Sequence, residues 1–243
     1  MASTEHQKRH FSSTHWSVIL AARDINTAES DRALERMCKA YWYPIYAFIR
    51  REGKGKEEAR DLTQDFFTLL LERRLFAEAD QLRGKFRTFL LKALKNFLKD
   101  QHRRDHAIKR GGGQTHFSLD AEDAESRYAM EPKHEETPEK LYERKWAKAV
   151  LAQVMEQLKL EYVKADQLER FNAFVHYLGG SRDSDTHLET ARKLEMTETA
   201  FRTAFHRFKQ RYLQVFRHEV TQLVSESKNV EDEIKHIMTS MKG

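Results

Sequence analysis

The chain has 243 residues, 40% of them hydrophobic and 33% charged, with 43 Lys or Arg against 38 Asp or Glu. A mean hydropathy of -0.79, and no apolar run near the roughly 18 residues that span a bilayer, exclude a helical membrane protein. A single cysteine, Cys38, excludes an internal disulfide framework and a cysteine-built zinc site, and 9 Gly with 3 Pro supply few turns for a strand-rich fold.

The first nine residues, Met1 to Arg9, hold no apolar stretch of the secretory kind, so a cytoplasmic location is expected. Helices are predicted over about 14–23, 31–51, 56–74 and 84–108. The second carries Leu34, Met37, Cys38, Tyr41, Trp42, Ile45, Tyr46 and Ile49 on one stripe, and Gly53-Lys54-Gly55 turns the chain into the third. Residues 1–110 hold 23 Lys or Arg against 15 Asp or Glu, a net of +8. Gly111-Gly112-Gly113 then breaks the helix. Residues 111–140 net −5, with 3 basic and 8 acidic side chains, so 111–137 is expected to be a flexible acidic linker. Thr137 caps the next helix with Pro138 in its first turn. Further helices are predicted over about 138–160, 163–178, 186–194, 198–217 and 218–240. Strand-like alternation is missing. The expected fold is therefore all-α: two small helical domains, 1–110 and 138–217, joined by the linker, with a helical extension over 218–243.

Three stretches carry chemistry. In the third helix Leu62, Phe66, Phe67, Leu69 and Leu70 are apolar, while Asp61, Gln64, Asp65, Thr68 and Glu72 form a polar row, either a solvated side or a docking face. In the fourth, Phe86, Phe89, Leu90, Ala93, Leu94, Phe97 and Leu98 face a core, and Lys92, Lys95, Lys99 and Arg103 recur at three and four, with Asn96 among them. Such a ridge is either a solvated face or one that meets phosphates and releases their counterions. The third stretch is a helix-turn-helix over 186–212. Thr186 is expected to cap its first helix and Thr197 its second. Ala191 permits close approach and Met196 fills the gap. The second helix buries Ala200, Phe201, Ala204, Phe205, Phe208 and Tyr212, and presents Thr199, Arg202, Thr203, His206, Arg207 and Gln210, flanked by Lys209 and Arg211. Residues 192–217 hold seven basic side chains and two acids, the balance a DNA-reading helix needs. Glu195 stands where the tight turn favours glycine.

Together these stretches resemble an RNA polymerase sigma factor of the extracytoplasmic-function (ECF) group, over roughly residues 34–216. Residues 57–67 look like its core-polymerase-binding segment, 84–104 like the segment that melts and reads the minus-ten element, and 189–207 like the minus-thirty-five reader. The resemblance implies that Asp61, Gln64, Asp65 and Phe66 dock on the coiled coil of the polymerase's largest subunit. It implies that Lys85, Phe86, Arg87 and Phe89 open DNA and hold an unstacked base, where Phe89 replaces a tryptophan common in the family. Lys92, Lys95, Asn96, Lys99 and Arg103 would meet the minus-ten region, and Thr199, Arg202, Thr203, His206, Arg207 and Lys209 the minus-thirty-five region. The acidic linker would thread toward the RNA exit path. Core RNA polymerase and promoter DNA are the implied partners, and an inhibitory anti-sigma protein is compatible with the resemblance.

No catalytic constellation, cofactor or metal is expected. His102 and His106 sit four apart but beside Arg103 and Arg104, and read as a basic helix end. Trp16, Trp42 and Trp146 read as core anchors. The rival functions are a helix-turn-helix repressor or activator acting independently of the polymerase, and a nucleic-acid enzyme, for which an acid–base or metal constellation is missing.

Overall fold

A computed structural model describes residues 28–71, 85–107, 121–131, 136–178, 187–224 and 229–241. The expected helix over 14–23, Trp16, Gly111-Gly112-Gly113, the Thr186 cap, Glu72 and the side chains of Leu34, Met37, Cys38 and His106 lie outside the described residues. Among the described residues the fold is all-α: α1 (Ala28–Arg51), α2 (Lys56–Leu71), α3 (Phe86–Ala107), α4 (Ala121–Ala129), α5 (Pro138–Lys164), α6 (Leu168–Leu178), α7 (His187–Lys193), α8 (Glu198–Leu223) and α9 (Val230–Ser240).

Two apolar clusters organise these helices. The first gathers Tyr41, Ile45, Tyr46 and Phe48 of α1, Phe66 and Leu70 of α2, and Phe86, Leu90 and Leu94 of α3. It also takes Tyr142, Trp146 and Val150 of α5, Val215, Phe216 and Val220 of α8, and Val230 and Ile237 of α9. Each fully buried side chain of this size contributes about 1.5–3 kcal/mol. The second cluster holds Leu158 of α5, Phe171 and Phe174 of α6, Ala191 of α7, and Phe201 and Phe208 of α8. The long helices α5 and α8 thus bury one end in each cluster.

Three helices end on the same hydrogen-bonded device. After α1, Lys54 N–H donates to the Ile49 carbonyl at 3.4 Å and Gly53 N–H to Arg50 at 3.1 Å. After α5, Gln167 donates to Tyr162 at 2.8 Å and Asp166 to Val163 at 3.1 Å; after α7, Met196 donates to Ala191 at 2.8 Å and Glu195 to Arg192 at 3.1 Å. These are Schellman caps, which place one residue in the left-handed region. Gly53 (φ 91), Asp166 (φ 55) and Glu195 (φ 53) occupy those positions.

Several boundaries differ from expectation. α5 runs on to Lys164, and α6 starts at Leu168 after the Asp166 turn. α8 continues past 217 to Leu223, because Val215, Phe216, Val220 and Leu223 extend its apolar face without a helix breaker. The chain then becomes extended at Val224 (φ −116, ψ 146) before α9 begins. Within the stretch expected to be flexible, residues 121–129 are helical and Ala124 reaches the first cluster. Its carboxylates are held by cations: Glu125 accepts from Arg50 at 2.8 and 3.0 Å and from Tyr46 Oη, Glu131 pairs with Arg144 at 3.3 Å and with Lys145, and Glu136 pairs with Arg144 at 2.5 Å.

Candidate nucleic-acid interface and docking face

The helix-turn-helix forms from α7, the Glu195 turn and the first half of α8. Thr197 Oγ1 accepts from Ala200 N–H at 3.2 Å and so fixes the start of α8. Phe201 and Phe208 point inward against Phe174, at ring-centroid distances of 5.5 and 5.2 Å, while Ala191 is fully buried where the two helices meet. That packing turns Thr199, Arg202, Thr203, His206, Arg207, Lys209 and Gln210 outward, and all are exposed. Glu198 holds Arg202 Nε at 2.9 Å, Thr203 Oγ1 donates to the Thr199 carbonyl at 2.9 Å, and Lys209 Nζ stands 4.9 Å from the Phe205 ring centroid. An open groove of about 690 Å³ runs beside this face, lined among others by Arg170, Thr199, Thr203 and Arg207.

The ridge of α3 is also outward. Lys92, Lys95, Asn96, Lys99 and Arg103 are exposed, opposite the buried Leu90, Ala93, Leu94 and Phe97. Lys95 pairs with Glu139 of α5 at 2.5 Å, and Arg103 reaches Asp100 at 3.7 Å. The Glu139 carboxyl is held below its ordinary range, first by the Lys95 hydrogen bond.

The start of α3 differs. Phe86 is fully buried, 5.3 Å edge-on to Tyr41, and Phe89 is 7% exposed. Arg87 is 6% exposed. Its guanidinium donates through Nε to Glu233 Oε1 of α9 at 2.6 Å and through Nη1 to Glu143 of α5, and lies 5.2 Å from the Trp146 ring centroid. Lys85 Nζ stands 2.9 Å from Glu233 Oε2, and the Lys85 backbone bridges to Val224. Phe86 and Phe89 thus lie in the first apolar cluster, as their place on the apolar stripe leads one to expect, while α5 and the C-terminal extension hold the Arg87 side chain and the extension holds Lys85. Sequence reasoning passed over Glu233 and Glu143. The available signal was Glu233 lying on the same helical face as Val230 and Ile237, three and four residues away.

On α2, Asp61 is exposed and Gln64 and Asp65 are half-buried. Burial, and then the neighbouring Asp61 charge, push the Asp65 carboxyl above its ordinary value. Arg60 pairs with Glu57 at 2.7 Å and reaches Asp61 at 3.5 Å. Phe66 offers no surface in this conformation. It is fully buried, 6.1 Å from Phe67 and 5.6 Å from Phe97, so its place is beneath the face and not on it.

Trp42 and Trp146 are core residues, at 6% and 0% exposure. Among the described residues no group of three or more His, Cys, Asp or Glu is placed to hold a metal ion, and no helix is long and apolar enough to cross a membrane.

A family model described as ECF sigma factor matches residues 46–209. Neither the curated proteins nor the solved structures contain a match.

Proposed function

The chain belongs to the ECF sigma factor family, and from that premise we propose how its surfaces divide the work. A sigma factor directs RNA polymerase to initiate transcription and belongs to no enzyme class; core polymerase and promoter DNA are its partners. In our reading Asp61, Gln64 and Asp65 dock on core polymerase, the Lys92–Arg103 ridge approaches the minus-ten region, and the exposed face of α8 reads the minus-thirty-five region. Residues 1–110 and 138–217 carry these two DNA contacts, 111–137 connects them, and 218–243 covers the start of α3. Lys85, Phe86, Arg87 and Phe89 act in strand opening once uncovered.

The observation that carries the reading is that two cationic faces, on α3 and α8, are exposed while their opposite sides are sealed in separate apolar clusters. A duplex base costs a few kcal/mol to unstack, and stacking on aromatic side chains returns about 1–3 kcal/mol per base. Two modest DNA contacts joined through one large enzyme gain from effective concentration. The free chain therefore binds promoters weakly and the holoenzyme strongly.

The test is co-purification with core RNA polymerase in the absence of DNA, followed by run-off transcription on a genomic fragment library. Asp61→Ala with Asp65→Ala is expected to weaken polymerase binding and leave the helical content unchanged. Undiminished affinity in that variant refutes the docking assignment. Failure of the wild-type chain to bind polymerase at all favours a free-standing helix-turn-helix regulator.

A further inference from the structure

We infer that α9 is an intramolecular lock, and that the Glu233 carboxylate occupies the position a DNA phosphate takes between Lys85 and Arg87. The inference rests on the reading of α3 as a DNA-binding helix and adds its regulation. Glu233 is fully buried, yet it sits in the extension beyond the residues that match the family. A buried carboxylate persists only where cations compensate its desolvation. Here those cations are Lys85 and Arg87, two residues that bind nucleic acid in the proposed function. Arg87 keeps a second carboxylate, Glu143, whereas among the described residues Glu233 is the one ion-pair partner of Lys85. Release of α9 thus frees Lys85 first.

Geometry points the same way. The Lys85–Val224 bridge pins the far end of α8 to the start of α3. Arg202 lies 22 residues before Val224 in the chain, about 33 Å along a helix. Elements centred about 25 base pairs apart are about 85 Å apart on a duplex. α3 adds at most about 27 Å between Lys85 and Arg103, so with the bridge intact the two faces span at most about 60 Å, short of the separation of the element centres. Both the covered residues and the short span require the same contact to open.

Opening is measured on the full chain with a fluorescein-labelled mixed-sequence single strand of about 20 nucleotides, by anisotropy over a range of salt. Glu233→Gln keeps the shape of the side chain and removes its charge. It is expected to tighten binding by about five- to ten-fold and to steepen the log–log salt slope by about 0.7, the increment for one phosphate contact on a single strand. Glu231→Gln removes the same charge from an exposed site paired with Arg217 and is expected to leave the slope unchanged. Adding Lys85→Gln to Glu233→Gln is expected to abolish the gain. Equal behaviour of the Glu233 and Glu231 variants overturns the lock. If circular dichroism shows that Glu233→Gln does not fold, hydrogen exchange of the wild-type chain decides. Amides of Val230–Ser240 are expected to exchange at least ten-fold faster with the same single strand present at saturation, and unchanged protection overturns the lock. A Glu233→Gln gain in a chain that fails to bind polymerase sinks the sigma reading and leaves the lock standing.

Discussion

Replacing Glu195 by glycine should stabilise the helix-turn-helix. Glu195 is exposed and holds φ 53 at the left-handed position of the cap that ends α7. A non-glycine residue there costs about 1–2 kcal/mol from the crowding of its Cβ against the backbone. Glycine removes that cost but frees the unfolded chain, which returns about 0.4–1 kcal/mol. The net expectation is a gain of about 0.5–1 kcal/mol. For a chain of this length that is a rise of roughly 1–4 °C in Tm. Glu195→Ala is the control. It keeps the Cβ, so its stability should stay within about 0.5 kcal/mol of wild type. Thermal melts followed by circular dichroism compare the three chains, with denaturant titration for the free energies. Because the α7–α8 turn keeps its hydrogen bonds, promoter recognition by the holoenzyme should not change. A glycine variant no more stable than the alanine variant refutes the claim that backbone strain is stored at this turn.

Other outcomes follow from the same residues. Arg202→Ala with Arg207→Ala should reduce upstream promoter recognition in holoenzyme footprinting by about 1–3 kcal/mol per lost base contact, and wild-type occupancy on every target promoter would show that the face is misassigned. Asp65→Asn should raise stability by up to about 0.5 kcal/mol at neutral pH while weakening polymerase binding. The folded carboxyl has a raised pKa, so its penalty appears as pH climbs through the ordinary value of 3.8 and is complete above the folded value; a loss of stability at pH 7 contradicts this. Glu125 titrates in the opposite sense. The Arg50 hydrogen bond lowers its pKa, so the stability it lends α4 is present above the ordinary value of 4.5 and is lost as pH falls through the folded one. Hydrogen exchange of 121–129 should accelerate in acid before that of α1, and Glu125→Gln should remove the difference.

Periodicity made most of the helices legible. The stripes on α1, α3 and α8 needed only the three-and-four spacing of apolar residues, and Thr137 and Thr197 announced the starts of α5 and α8. The turn at Glu195 was legible as well, since Ala191 and Met196 fix a close crossing that forces a left-handed residue between them. Tertiary partnership was not. Phe66 and Arg87 look alike in sequence, each beside an exposed functional row, and nothing local tells that Glu143 and Glu233 close over Arg87 from 56 and 146 residues away. The helix over 121–129 was hidden by its acidity. Glu125 in this helix and Glu131 just after it look like part of a solvated run until Arg50 is seen to meet the first, and Arg144 and Lys145 the second. Charge patterns disclose sign and face, whereas the identity of a long-range counter-ion is a property of the packed chain.

That distinction bears on why the cover over α3 is ionic. α9 has 11 residues, shorter than the roughly 12–15 that sustain an isolated helix in water. It is therefore helical by virtue of its docking, and undocking unfolds it. Its apolar attachment is small: Val230 and Ile237 are buried and Ile234 partly so. An ion pair adds little net stability over an apolar contact of the same size, but leaving one charge of it buried and alone is costly. Glu233 thus makes docking nearly all-or-none with respect to its cations. While Lys85 and Arg87 face it, α9 stays down. When an external polyanion competes for the same two cations, the carboxylate loses its compensation and the short helix has too little apolar surface to remain. Val230→Ala should tip that balance without touching any charge. Truncation at a 5% exposed valine removes about two methylenes of burial, about 1.6 kcal/mol, and should raise α9 exchange by about ten-fold or more while leaving the salt slope of a pre-opened Glu233→Gln chain as it is. Exchange unchanged by that truncation means that α9 is held by something other than the two groups argued here.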